Sequence, residues 1–432
     1  MSNPEVVILG AGLAGMTAAY NLRDRDVVVL EARDRVGGRT LSGDYERYWY
    51  NSGAQFVWDP RTVAMCQELG LDVLRGDGAD AAVFANGRLA TAPDANGLFL
   101  KMPISWPEKI RFALTILRLR RIAARMHGLD PELDAKSLAE VIGPTSHATR
   151  EILEMATTSG TGLSTDEVSG AIGLGYAIHL FGGDVNSTLK AVRGGTQQIT
   201  KTITRTIDPE RVMLDCRVQS VTPTANGVSV RYKRQGAIEE IEAGACICAL
   251  TADAVLDVIP DLPEVKREAL RQVLPYAQVV TVAWLTDEQD PMPWDRLLAV
   301  PAIGLSFELL SNNAFFTRRG VRRSGGTLVT LATGPRADAL TPLDDIAVVD
   351  RLRADLVRMF PNQRDVIQRA QTRVARWRGL PRFGKGWLAR QQTLREPLGN
   401  VYFCGDYTAQ PGTPGAVGSG YHAARAVRAA LG

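Results

Sequence analysis

Short runs of branched apolar residues, each closed by glycine or an acid, mark the amino end of this chain. Residues 5–10 (EVVILG) are apolar without alternation, as in a parallel strand covered on both faces. Residues 13–23 follow helical spacing, and 27–31 (VVVLE) form a second apolar run. Strand, glycine turn, helix and strand in that order predict a parallel βαβ unit. Downstream, residues 60–75 and 106–128 read as helices and 130–205 as mainly helical, with 83–92 a hairpin turning at Asn86-Gly87. Residues 212–250 read as strands with a turn at Asn226-Gly227. Helices are predicted over 262–274 and 344–360, the second with Asp344 and Asp345 at its positive end. Strands are predicted over 276–286, 327–334 and 400–405, and a final helix over 415–431.

A chain of 432 residues can bury a core without disulfide or metal staples. Its 50 basic and 47 acidic residues leave a net charge of +3, too small to imply a nucleic-acid partner. The five cysteines lack CxxC spacing, which argues for a reducing compartment and against zinc. The four histidines show no ligand spacing, so no metal is expected. No apolar run reaches the roughly 18 residues of a spanning helix, and no leader pattern opens the chain. The expected location is the cytoplasm, with peripheral contact to a membrane as an option.

The first turn reads Gly10-Ala11-Gly12-Leu13-Ala14-Gly15, a GxGxxG. Gly10 permits a tight turn, Gly12 lets a pyrophosphate approach the backbone, and Gly15 lets the helix pack closely on the sheet. The phosphates would meet the positive end of the helix dipole. Such a motif alone is weak. Here it follows a strand, opens a helix and is followed by Glu31 at the end of the next strand, where a ribose-binding carboxylate belongs. The predicted fold class is therefore α/β, with a Rossmann-like dinucleotide domain. That domain is drawn from 1–80, 190–262 and 386–432 and interleaves with an α+β substrate domain from 81–189 and 263–385.

The next stretch, Glu31-Ala32-Arg33-Asp34-Arg35-Val36-Gly37-Gly38-Arg39-Thr40, resembles the second signature of a superfamily of FAD enzymes. That superfamily includes flavin amine oxidases, protoporphyrinogen oxidases and phytoene-type desaturases. The resemblance implies that Gly37 and Gly38 line the pyrophosphate and that Arg39 adds charge to it. The chemistry agrees, because paired glycines offer N–H groups to an anion and arginine suits phosphate. Three further segments are similar. Gly53-Ala54-Gln55-Phe56 resembles a segment that runs beside the flavin. Gly194-Gly195 followed by Val218 resembles the strand whose backbone meets adenine, with Val218 at that place. Gly405-Asp406-Tyr407 and Gly415-Ala416-Val417 resemble the carboxy-terminal flavin segment. There Asp406 would bind the ribityl chain or pyrophosphate, and the helix start at Val417 would face the isoalloxazine. The matches span residues 5–425, so an FAD-binding domain joined to an amine-oxidase-type substrate domain is implied.

Departures from the family's pattern bear on substrate. Many amine oxidases of the family carry a lysine on a strand near the flavin; the comparable strand here, Tyr276–Trp284, has none, with Val280 at the aligned place within one residue. Two tyrosines that sandwich an amine in monoamine oxidases fall near Gly379 and Gly412, and neither position is aromatic. Arg378 occupies the place of a cysteine that some members link to flavin, so non-covalent FAD is expected. Residues 376–383 are closer to the Trp-x-x-x-Leu-Pro segment of desaturases and porphyrinogen oxidases.

The reading that follows is an FAD oxidase or dehydrogenase removing a hydride from a C–C or C–N bond of a bulky hydrophobic metabolite, with O2 or another acceptor. The alternatives are a monoamine or L-amino-acid oxidase releasing imine, ammonia and peroxide, and a GDP-dissociation-inhibitor-like binding protein. An amino-acid oxidase would need a carboxylate-binding arginine, for which Arg193, Arg318 and Arg382 are available. Flavin takes the hydride itself, so at most one proton acceptor is needed. His179 and Tyr176 are the catalytic candidates, with Tyr407 and Lys385 behind them. His179 reads equally as a hydrogen-bonded core histidine, and Lys385 as a solvated loop residue. Residues 106–128 place Ile110, Leu114, Leu117 and Met126 near one stripe and Arg111, Arg118, Arg121 and Arg125 near another. That helix fits either a bilayer interface or simple packing on the substrate domain. A homodimer is a candidate state.

Overall fold

The protein is described here by a computed structural model covering residues 3–126, 128–181, 188–318 and 323–432. His127, inside the helix predicted over 106–128, and residues 182–187, inside the helical stretch 130–205, lie outside the described residues.

A five-stranded parallel sheet runs in the order Val401–Phe403, Ala245–Cys248, Val6–Leu9, Val27–Leu30, Val212–Met213. Its strands come from both ends and the middle of the chain. Apolar runs without alternation form it because both faces are covered. Val6, Ile8 and Ile247 pack on one side with Met16, Ile199 and Val427, from helices Leu13–Asn21, Gln197–Thr206 and Gly412–Leu431. Val7, Leu9 and Cys248 pack on the other side with Val230, Val255 and Tyr276. All five cysteines are free and buried, and burial pushes the thiols of Cys66 and Cys248 up to about 12.

A second, antiparallel sheet has the order Ala299–Pro301, Leu309–Ser311, Gly326–Thr333, Ala277–Thr286, Gln371–Leu380. Val280, Val282 and Trp284 face a core completed by Leu352 and Leu356 of helix Asp345–Met359. Asp344 caps that helix by accepting from the Ala347 N–H at 2.8 Å, as its position before the apolar run predicts.

Several boundaries differ from those read off the sequence. The helix expected over 60–75 ends at Glu68, just before Gly70 in the left-handed region, and Val73–Arg75 is a strand paired with Lys190–Val192. The latter strand also interrupts the stretch expected to be mainly helical. The hairpin expected at Asn226-Gly227 turns instead over Ala225-Asn226, because Gly227 already pairs with Thr224. A Cβ on Gly227 would lie 2.2 Å from the Ala243 carbonyl oxygen, so close strand approach is what demands glycine there. Strand Gln371–Leu380 and helix Trp387–Arg395 were not anticipated.

Candidate active site

The glycine turn sits at the carboxyl end of the central strand Val6–Leu9. Gly10 has φ +97°, with an ideal Cβ 3.2 Å from the Ala249 carbonyl oxygen. Gly15 admits no side chain at all, since a Cβ would stand 2.0 Å from the Gly10 oxygen. Gly12 differs. It is the extended N-cap of helix Leu13–Asn21, no side chain caps the helix, and nothing lies within 4 Å of an added Cβ. The helix therefore presents its positive end, with Leu13 and Ala14 buried in the first turn, to open space.

The second glycine pair packs on the first. Gly37 donates to the Ala11 oxygen at 2.8 Å and forms a bridge with Gly12, and Gly38 is turned back at φ +54°. Thr40 Oγ1 fixes the loop by donating to the Gly37 oxygen at 2.8 Å. Glu31 is buried, and its carboxylate accepts from the Ala11 N–H at 2.8 Å and the Arg33 N–H at 3.0 Å. It thus braces the turn it was expected to serve, while Ala32 and Arg33 are exposed beside it. Val218 follows closely on Cys216, whose N–H donates to the Glu31 oxygen at 2.7 Å.

Arg39 and Asp406, 367 residues apart, meet in a bidentate pair, both contacts at 2.9 Å. Arg39 also donates to the Gly379 carbonyl at 2.5 Å and lies 5.7 Å from the Tyr276 ring centroid. The Tyr276 hydroxyl accepts from the Ala252 N–H at 3.1 Å, and burial, with Asp406 adding, raises its pKa well above 10.0. Gly53 packs its Cα on the Arg39 carbonyl, 2.0 Å from an added Cβ, and the Ala54 N–H donates to that carbonyl at 3.0 Å. Two residues of this segment turn inward. Gln55 spends its amide on the Asn51 and Gly53 carbonyls and accepts from Ser311. Phe56 packs with Trp49, Leu298 and Phe315.

The last helix begins at Gly412, three residues before the expected Gly415, and again without a side-chain cap. Its first-turn N–H groups belong to Gly412, Thr413 and Gly415; Ala416 and Val417 lie beyond them, Val417 fully buried against the sheet. Thr413 Oγ1 is buried with no partner. Gly405 has φ +144°, and its N–H donates to Ser419 Oγ at 3.0 Å. Two uncapped helix ends, an open face at Gly12 and an orphaned first-turn hydroxyl are what an anionic dinucleotide would complete. These residues fit FAD.

Tyr176 and His179 lie on one helix, Gly170–Phe181. Tyr176 covers Gly160, where a Cβ would be 2.0 Å from its ring. Burial, then the Asp406 charge, raises its pKa. His179 meets Trp58 in a tilted ring contact, centroids 4.8 Å apart and planes at 39°. Burial, and then Lys190, lower its pKa below the usual 6.5. The Tyr407 ring is buried beside Cys248 and Tyr276 and covers Gly405. Lys385 pairs with Glu140 at 3.1 Å on the surface. Val280 points into the helix-covered core, whereas Thr281 donates to the Ser52 carbonyl at 2.8 Å, as does the Trp377 indole. The strand position facing the Gly53 segment is thus 281, one residue from the one aligned. Sequence reasoning missed Tyr276, Trp58 and Trp377.

A parallel dinucleotide sheet carrying two glycine signatures, joined to a large antiparallel sheet, defines the class of FAD-dependent oxidoreductases. Residues 13–428 match the family described as flavin containing amine oxidoreductase, and the chain belongs to that family. An L-amino-acid oxidase of Siganus canaliculatus is 29% identical over 302 residues, covering 62% of this chain and 54% of that protein. The chain thus spans about half of that relative's length. AofH of Mycobacterium tuberculosis, provisionally named a flavin-containing monoamine oxidase, is 27% identical over an alignment 486 positions long, covering 99% of this chain and 97% of that protein. Among solved structures, putrescine oxidase bound to putrescine superposes with a TM-score of 0.80 at 22% identity, and cyclohexylamine oxidase from Brevibacterium oxydans with 0.81 at 21%; each covers 99% of both chains. These likenesses show the fold. The chain is an FAD-dependent oxidoreductase.

Proposed function

We propose that this protein oxidises the C–N bond of an amine bearing a bulky hydrophobic group, passing electrons on to O2. The reading rests on one observation above all: helix Gly170–Phe181 carries Tyr176, which feels the Asp406 charge, and His179, in ring contact with Trp58, a set of aromatic groups that can wall an amine. The three arginines available for a substrate carboxylate are engaged elsewhere. Arg193 pairs with Asp72, Arg382 with Glu167, and Arg318 is buried against Glu288 and Asp295. That weighs against an amino-acid substrate and for an amine without a carboxylate. The relatives named for amine oxidation support the same reading.

In this proposal Gly10, Gly12, Gly15, Gly37 and Gly38 hold the pyrophosphate, Glu31 and Val218 the adenosine end, and Arg39, Asp406 and the last helix start the flavin end. The FAD-binding part comprises 1–80, 190–262 and 386–432. Bound FAD supplies the hydride acceptor, at N5. The chain's own residues hold the amine against the aromatic wall, exclude water and take up one proton. His179 Nε2 or Nδ1 is the acceptor, because a histidine held neutral near pH 7 can receive a proton from a substrate ammonium.

With a hydrophobic aryl-alkyl amine, the FAD-loaded protein should release peroxide and ammonia together. kcat/KM should rise with pH through a midpoint below 6.5, as His179 loses its proton, and fall again near the substrate amine's own pKa, about 10, as the ammonium that donates to it disappears. His179→Gln should abolish the rising limb and cut kcat/KM about 10²-fold. A second reading, dehydrogenation of a C–C bond, is favoured by the absence of lysine at Val280 and Thr281. Peroxide from an amine-free hydroaromatic, with no ammonia from any amine, would establish that second reading instead.

A further inference from the structure

We propose that helix Trp106–Ala123 is a docking surface for an anionic lipid bilayer, on which the protein lies without crossing it. The helix is amphipathic twice over. Phe112, Ile116 and Leu119 are buried inward, and Phe112 meets Phe181 edge-on at 5.3 Å. Phe181 ends the helix that carries Tyr176 and His179. On the opposite side Trp106, Ile110, Leu114 and Leu117 are 61, 57, 62 and 48% exposed. Their spacing of four, four and three residues puts them on one stripe. Lys109 joins the preceding helix by bonding the Leu100 carbonyl beneath the Trp106 ring, and Leu100 is itself 58% exposed. Among the described residues, the other large exposed apolar ones, Ile238, Val265 and Ile346, sit on three separate elements, as scattered surface residues do.

Charge selects the occupant. Arg111, Arg118, Arg121 and Arg125 are exposed along the flank of the stripe. From residue 95 to 129 the only acid is Glu108, and it is bound by Ser146 and Arg111. An apolar stripe bordered by cations, in a segment whose one carboxylate is already bound, complements lipid phosphates over acyl chains. A water-soluble protein partner would need its own acidic rim and apolar cleft to do the same. No helix among the described residues is long and apolar enough to span a membrane, so the contact is interfacial.

The test is flotation of the FAD-loaded protein with vesicles of phosphatidylcholine alone and of phosphatidylcholine with about one third phosphatidylglycerol. Binding to the anionic vesicles is expected at low salt and should weaken at high salt. The triple variant Ile110→Ser, Leu114→Ser, Leu117→Ser should keep its flavin absorbance and lose at least about tenfold in partitioning. Arg118→Glu, Arg121→Glu, Arg125→Glu should lose binding to anionic vesicles by a similar factor. Wild-type protein left unbound by both vesicle types overturns the proposal, as does serine-variant binding equal to wild type. So does a wild-type dimer that the serine variant converts to monomer in sedimentation velocity, since the stripe would then belong to a second copy. None of these readouts needs turnover, so they stand apart from the amine-oxidase reading.

Discussion

Valine at position 12 is expected to give a folded protein without colour. Gly12 sits in extended backbone, which valine adopts freely, and no atom lies within 4 Å of the added Cβ. Exchanging a glycine N-cap for valine should cost the fold about 1 kcal/mol or less. The same methyl groups would stand where the first helix meets the pyrophosphate, so flavin retention should drop at least about tenfold. Gly15→Val is the contrast. Its Cβ would overlap the Gly10 carbonyl at 2.0 Å, and backbone cannot yield as a flexible side chain can, so about 3 kcal/mol or more of stability should go. Flavin absorbance and thermal unfolding of the two variants separate the roles. Full flavin stoichiometry in Gly12→Val would remove the assignment of this turn to FAD. Glu31→Ala is a less clean probe, because Glu31 also receives the Ala11 and Arg33 N–H groups and its loss loosens the turn itself.

Arg39→Ala should be among the most damaging single changes at the site, and more damaging than Asp406→Ala. The two side chains form one bidentate pair, but they are unequally exposed: 34% for Arg39 against 4% for Asp406. Removing the arginine strands a buried carboxylate whose remaining donor is the Tyr407 N–H at 3.1 Å. That should cost the FAD-free protein about 3–5 kcal/mol. Removing the aspartate leaves an arginine side chain that is itself about one-third exposed and still bonded to the Gly379 carbonyl, for about 1–3 kcal/mol. The double variant should lose less than the sum of the two. Urea unfolding of FAD-free protein measures all three. Equal and additive losses would mean that the pair does not act as one unit.

The parallel sheet was legible in the sequence because a strand buried on both faces has no polar face to blur the signal, and Val6–Leu9 and Val27–Leu30 show it plainly. The glycine signatures were legible for a similar reason: steric demands at Gly10 and Gly15 exclude every other residue. Strand Gln371–Leu380 was not, since it lies at a sheet edge and carries Arg373, Arg376 and Arg378 outward, so its composition imitates a loop. Thr281 lies within the one-residue margin set on Val280, and that margin spans both faces of the strand. A slip of one residue exchanges the helix-covered core for the side that meets Ser52. The Arg39–Asp406 pairing lay beyond any local pattern, because only tertiary folding joins two segments from opposite ends of the chain. The true start of the last helix was hidden by Pro411 and Pro414, which read as a turn but serve as its N-cap and first-turn residue.

The sealed thiols of this fold have a practical consequence. Thiolate is the reactive form, and sulfurs that burial holds far from ionisation stay silent to maleimides while the protein is native. A single cysteine introduced at an outward position such as Leu114 would then be the one labelling handle on an otherwise unmodified background. A fluorophore placed there could follow the protein's surroundings in real time, without first stripping out the five native thiols.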